Sequence, residues 1–158
     1  MLVIKNLVFV LVVPGTVAVY VPLLIARSHT LAPAPILAAG VVLLAVGASI
    51  MLWCVWDFAA FGRGTPAPID APKQLVVRGL YGYVRNPMYV GACTMILGWA
   101  VLFRAPVLVA YALVLWVFFN AFVTLYEEPH LAKTFGREYE EYRARVGRWF
   151  PRVRGVRT

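Results

Sequence analysis

The chain has 158 residues, of which 62% are hydrophobic and only 14% charged, with a mean hydropathy of +0.78. So short a chain cannot hide that much apolar surface in a water-soluble core, and the composition equally excludes a disordered or fibrous protein; lipid is the remaining solvent. The net charge of +8, from 15 Lys and Arg against 7 Asp and Glu, then points to anionic lipid headgroups rather than to nucleic acid.

Four uncharged runs follow in chain order, over residues 6–26, 31–56, 86–103 and 105–126. Roughly 20 helical residues cross a bilayer core. The expectation is an all-α integral membrane protein: a single membrane-embedded domain over residues 1–158 with four transmembrane helices. The first run exceeds the roughly 7–15 apolar residues of a signal peptide, so it reads as a retained helix, kinked at Pro14 and Pro22. Only Arg104-Ala105-Pro106 separates the last two runs. They form a tight antiparallel hairpin, with Pro106 in the first turn of the last span. Gly40 and Gly47, and again Gly91 and Gly98, lie seven residues apart and give flat helix faces for close packing. Cys54, Cys93 and the Met residues read as core or lipid-facing, and Asp57 as an interfacial residue with a basic neighbour. His29 and His130 have no second ligand at metal spacing, so no metal is expected.

Lys and Arg set the orientation. The first loop holds Arg27 and the third Arg104, whereas the second carries Arg63, Lys73, Arg78 and Arg85 and the tail carries eight more, from Lys133 to Arg157. With four spans the second loop and the tail share a side, and both termini are expected to be cytoplasmic. The second loop is rich in Gly and Pro up to Pro72. Its aromatic and basic residues suit a membrane interface, and for Arg78 and Tyr83 anchoring is the preferred reading. Gly79 and Gly82 let backbone N–H groups approach an anion or a flat ring, and Pro87 opens a helix whose free N–H groups face the same loop. Loop, arginine and helix N-terminus together predict a polar pocket.

Glu127 and Glu128 are read at the C-terminal end of the last span, where the helix dipole disfavours carboxylates. Consecutive helical residues point about 100° apart, so the two can reach separate groups. A cationic or donor-rich ligand is the preferred partner, and neutralisation by Arg85 or the basic tail the other reading. Pro129 is expected to stop one helix and start the next. Beyond it, Leu131, Phe135, Tyr139, Tyr142 and Val146 share a face of an amphipathic helix over about 129–147, which lies on the membrane or over the bundle, its end pinned by Trp149-Phe150-Pro151.

Gly79-Leu80-Tyr81, Arg85-Asn86-Pro87-Met88-Tyr89-Val90-Gly91, Leu97-Gly98-Trp99-Ala100, Tyr126-Glu127-Glu128-Pro129 and Phe135-Gly136-Arg137-Glu138-Tyr139-Glu140-Glu141-Tyr142 stand in that order. Together they resemble the integral-membrane S-adenosylmethionine methyltransferases, whose best-known branches are the isoprenylcysteine carboxyl methyltransferases and the phospholipid N-methyltransferases. The resemblance covers about Gly62 to Pro151. It implies S-adenosylmethionine as cofactor, bound by Arg85, Asn86, Pro87, Met88, Tyr89, Glu127 and Glu128. The prenylcysteine branch adds the segment Lys73, Gln74, Leu75 and Val76 and the tyrosine Tyr81. Arg85 and Glu127 are the implied catalytic pair.

Asn86 stands where the family usually has histidine, and Val123 where the prenylcysteine branch has a substrate-contacting arginine. The implied reaction is methyl transfer to a lipidic acceptor at the cytoplasmic face, a phospholipid amine being favoured over a prenylcysteine carboxylate. His130 or water would take the amine proton. An NADPH-dependent sterol-type reductase and a non-enzymatic membrane assembly factor are the rival classes. A monomer in the plasma membrane of a prokaryote is expected, with the bilayer and its methyl acceptor as partners.

Overall fold

A computed structural model describes residue 8 and residues 11–62 and 74–152, all helix, turn or irregular chain. Lys73, Arg63, the Pro-rich part of the second loop, Arg154 and Arg157 lie outside the described residues. Helix α1 covers Leu11–Ala26, α2 Ala34–Asp57, α3 Pro87–Leu102, α4 Pro106–Phe122 and α5 Glu128–Arg145. At about 1.5 Å per residue, α2 is long enough to cross a bilayer core, as is the continuous helix formed by α4 and its extension. Their apolar side chains face outward: Leu52, Trp56, Leu113, Val114, Val117 and Leu125 are all exposed. In a soluble protein that surface would aggregate. In lipid it is the outer wall.

Spans α2 and α3 pack antiparallel through the four glycines. A Cβ on Gly47 would lie 2.7 Å from the Gly91 carbonyl, and one on Gly40 3.1 Å from the Gly98 carbonyl. The two flat faces seen separately in the sequence therefore meet each other. Ile96 and Ala92 fill the adjoining core with Met51, Ala18 and Leu108. At the far end Ala32 donates to the Leu102 carbonyl (2.9 Å), and the chain reverses at Arg104, whose φ of 49° makes a left-handed corner. Pro106 then opens α4 in its first turn, as the hairpin reading requires.

Two prolines are accommodated by the same device. A wide π-turn over Thr16–Tyr20 precedes Pro22, and another over Val123–Glu127 precedes Pro129. Proline lacks an N–H and its ring crowds the carbonyl four residues back, so widening the preceding turn relieves the clash. In α1 this frees two carbonyls. The Val21 N–H bonds Thr16, and Pro22 offers Ala18 no donor. Tyr111 Oη donates to the Val17 carbonyl (3.1 Å) and Trp99 Nε1 to the Ala18 carbonyl (2.9 Å), so α3 and α4 supply what the backbone lost.

The second π-turn corrects an expectation. Pro129 does not end the helix: Val123, Glu127 and Glu128 all keep right-handed helical angles, and the helix runs on into α5. The carboxylate pair is therefore mid-helix, away from any dipole end. The true break comes at Gly136, where φ 51° and ψ −124° bend α5 in two, angles that an L side chain rarely adopts. Despite the bend, Tyr139, Tyr142 and Val146 form one buried cluster with Leu75, Leu131 and Phe135, so the amphipathic face holds together by packing over the loop.

Candidate active site

One end of the bundle collects the polar residues. It is built from the last turn of α2, the segment Gln74–Asn86, the first turn of α3, the π-turn after α4, and α5 with the chain that follows it. The second loop and the tail are in direct contact there: the Arg85 N–H donates to the Gly147 carbonyl (2.8 Å). Gly79–Gly82 forms a single 3-10 turn. Gly79 has φ +55° and backs onto Asp57 and Trp53 so closely that a Cβ would collide with both. The turn buries the Tyr81 ring edge-on against Phe58 (5.4 Å), with Cys54 and Val76 beside it. The Tyr81 carbonyl accepts from Tyr142 Oη (2.8 Å), which ties the turn to α5.

The two glutamates diverge. Tyr89 Oη donates to Glu127 Oε1 (2.5 Å), and the Tyr89 ring packs on Phe119 at 4.5 Å. Glu128 turns the other way, into two arginines. Arg85 Nη1 lies 3.1 Å from its Oε1, while Arg148 approaches with both Nε (2.6 Å to Oε1) and Nη2 (2.9 Å to Oε2). The Arg85 and Glu128 side chains are only 8% and 9% exposed, so in the low local dielectric the charge pairing is indispensable. Arg85 Nη1 also donates to Tyr139 Oη (3.0 Å). Burial beside the Glu128 charge pushes the Tyr139 phenol above its ordinary range, so it stays a neutral partner.

The other residues singled out in the sequence divide clearly. Asn86 is buried and donates through Nδ2 to the Arg148 carbonyl (3.2 Å), and Pro87 is buried in the first turn of α3. Met88 sits between the Cys54–Tyr81 group and the main apolar core. Val76 is buried behind Tyr81, Leu75 packs on the α5 tyrosines, and Gln74 is exposed. His130 is exposed and stacks on Tyr126, at the end of the i, i+4 ladder Phe118, Phe122, Tyr126. Asp57 is 3% exposed, has Arg78 at 4.0 Å as its basic neighbour, and keeps Oδ2 without a partner among the described residues. Arg85 Nε is likewise buried and unpartnered among them.

Four participants escaped the sequence reading: Arg148, Asn120, and the hydroxyls of Tyr139 and Tyr142. Trp149 donates to Asn120 Oδ1 (3.0 Å) and packs on Trp116 at 4.4 Å, which fixes the chain just after Arg148. A signal was present for the tyrosines. An amphipathic face that buries Tyr where Leu would serve implies a polar partner beneath it. Arg148 carries no such mark, being one basic residue of a basic tail.

An all-helical membrane protein whose charged site is assembled at one end of its apolar helices is the class that the fold and the site define. The chain belongs to the phospholipid methyltransferase family, matching it over residues 35–138. That stretch runs from α2 into α5 and contains Tyr81, Arg85, Tyr89 and both glutamates. The chain is also 41% identical over 80 residues to a protein-S-isoprenylcysteine O-methyltransferase of Schizosaccharomyces pombe, covering 50% of this chain and 34% of that protein. The human protein of the same name is 40% identical over 85 residues, covering 53% of this chain and 30% of that protein. A probable one from Oryza sativa subsp. indica is 40% identical over 79 residues, covering 49% and 41%. The matched part thus spans well under half the length of these relatives.

Proposed function

We propose that this chain is an S-adenosylmethionine-dependent methyltransferase, a single domain crossing the membrane four times, with its site and both termini at the cytoplasmic face. The observation that carries the reading is the convergence of its two motifs. Residues from Arg85 to Tyr89 and the Glu127–Glu128 pair, 38 positions apart at the Tyr89–Glu127 bond, interlock at one end of the bundle. The cofactor brings an ammonium group, a carboxylate and hydroxyls. The unpartnered Arg85 Nε could donate to the carboxylate, so this leftover donor of the site suits such a ligand. When bound, that cofactor supplies a methyl group on a sulfonium centre for in-line displacement.

The chain's own residues then position and insulate. Tyr89 holds Glu127 in one orientation, the Phe119 and Trp149 rings exclude water around it, and the Tyr81 turn closes the opposite wall. A cavity of about 290 Å³ opens among Leu11, Tyr20, Met51 and Met95, with Met51 one turn before Cys54 on α2. Its apolar lining suits the hydrocarbon part of an acceptor.

For the acceptor itself we favour a prenylcysteine-type carboxylate over the phospholipid amine expected from the sequence. The curated relatives carry that name, and the argument against it was the missing arginine at Val123. Two arginines converge on Glu128 instead, so a cation is at hand. The family's description as phospholipid methyltransferases supports the amine as the second reading. The test is a side-by-side assay with labelled S-adenosylmethionine, a farnesylated cysteine analogue and phosphatidylethanolamine. Base-labile ester on the cysteine analogue is expected; label on the amine lipid alone would reverse the choice. Protection against heating by NADPH but not by S-adenosylmethionine would instead favour the reductase class.

A further inference from the structure

The clamp on Glu128 is built from two arginines. Two guanidinium groups face one carboxylate, so Glu128 can be paired by Arg85 alone and does not by itself require Arg148. The two arginines are not equivalent. Arg85 is 8% exposed, whereas Arg148 is 32% exposed. A guanidinium has five N–H donors. Among the described residues only Glu128 accepts from that of Arg148, through Nε and Nη2, so the opposite edge with Nη1 remains available.

The position of that edge is fixed from three sides. The Arg148 carbonyl accepts from Asn86, the Gly147 carbonyl from the Arg85 N–H, and the Trp149 indole donates to Asn120 on α4. The clamp's carboxylate follows Val123 on the same helix. Through the π-turn the Glu128 N–H bonds the Val123 carbonyl, so Glu128 sits one wide turn beyond Val123 on the same helix. Val123 is 1% exposed and purely apolar. A tertiary contact therefore delivers to this face a cation that the helix does not encode.

We propose that Arg148 is the acceptor-binding cation of this site: its outward guanidinium edge receives the carboxylate of a lipid-linked acid, in place of an arginine at Val123. The proposal rests on the methyltransferase reading and names the acceptor class for it. A carboxylate at the lipid boundary needs a fixed cation, and a guanidinium matches its two oxygens in one plane. One carboxylate oxygen supplies the electron pair of the new C–O bond while the donor's C–S pair returns to sulfur, so no proton has to move. Glu128 holds Arg148 in place by accepting from its Nε and Nη2.

The experiment compares binding of N-acetyl-S-farnesylcysteine and of its carboxamide to the detergent-solubilised protein, with S-adenosylhomocysteine present. The wild type should prefer the acid by about tenfold or more, the scale of one charge-assisted contact. Arg148→Gln should abolish the preference while S-adenosylhomocysteine affinity stays within about twofold, since Glu128 keeps Arg85 as its partner. Arg148→Lys, which keeps a point charge without the fork, should retain part of the preference and carries the test if the Gln variant does not fold. A wild type that binds acid and amide equally, or an Arg148→Gln or Arg148→Lys protein with the full preference, would overturn the proposal. So would loss of S-adenosylhomocysteine affinity in parallel with the acid preference. Turnover is scored separately. A wild type that discriminates through Arg148 yet forms no ester would sink the functional reading and leave the acid site standing.

Discussion

Glu127 and Glu128 are adjacent in the chain and do different work, which makes them the sharpest test at the residue scale. Glu127 is held by a tyrosine hydroxyl, a neutral partner. Glu127→Gln removes a charge without stranding one, so the protein should fold, while S-adenosylmethionine binding should weaken by roughly 1–3 kcal/mol, the range for a charge-assisted bond. Calorimetric titration giving wild-type affinity in a folded variant would remove Glu127 from the cofactor site. Glu128→Ala is predicted to fail in the opposite way. It leaves Arg85 buried and uncompensated, and truncating one member of such a pair typically costs about 3–5 kcal/mol. Thermal unfolding in detergent should show Glu128→Ala far less stable than Glu127→Ala; equal stabilities would contradict the buried clamp.

Between the elements, small residues and borrowed donors decide the packing. Gly47 and Gly91 put backbone against backbone, so a larger side chain cannot be absorbed by a rotamer change. Gly91→Leu should cost at least the roughly 1–3 kcal/mol of an overpacked core, read as a lower midpoint of thermal unfolding. Gly82→Ala, where a Cβ would meet nothing nearer than 3.7 Å, serves as the tolerated control. Trp99→Phe keeps a ring and removes the indole N–H that donates to the Ala18 carbonyl. An orphaned buried carbonyl costs about 1–3 kcal/mol, so the variant should lose stability although it remains hydrophobic. If Trp99→Phe matches the wild type, the α1 π-turn has some other source of support.

For the whole molecule the decisive feature is sidedness. The contact between the second loop and the tail, through Arg85 and Gly147, puts both at one end, and the Arg104 corner lies at the other. With the basic end inside, Arg152→Cys should be labelled by a membrane-impermeant thiol reagent only after the cells are opened, and Arg104→Cys in intact cells. The reverse pattern would invert the topology and place the site away from the cytoplasmic cofactor pool. A background lacking Cys54 and Cys93 is needed for that comparison, since both thiols are free.

Much of this was readable without coordinates. Apolar runs and the Arg104-Ala105-Pro106 corner gave helix limits close to those found, because a lipid-facing helix must satisfy its own backbone and so writes its length into the composition. The motif residues Arg85, Tyr89, Glu127 and Glu128 were named, and so was the possibility that arginines neutralise the glutamates. Which arginine meets which glutamate was not readable. Arg148 is 20 positions from Glu128, beyond a bend at Gly136, and nothing in a basic tail distinguishes it from its neighbours. The sequence also placed a helix end at Pro129, since proline breaks an α ladder. Only the fold shows that ladder widened into a π-turn instead, which keeps the helix continuous and turns Glu128 into the cluster. Composition and periodicity thus determined the solvent and the helices, and the ordered motifs, through the family they resemble, named the candidate groups. Tertiary structure decided the pairing, because a buried charge takes its partner from whatever the packing brings within about 3 Å, however far away it lies in the chain.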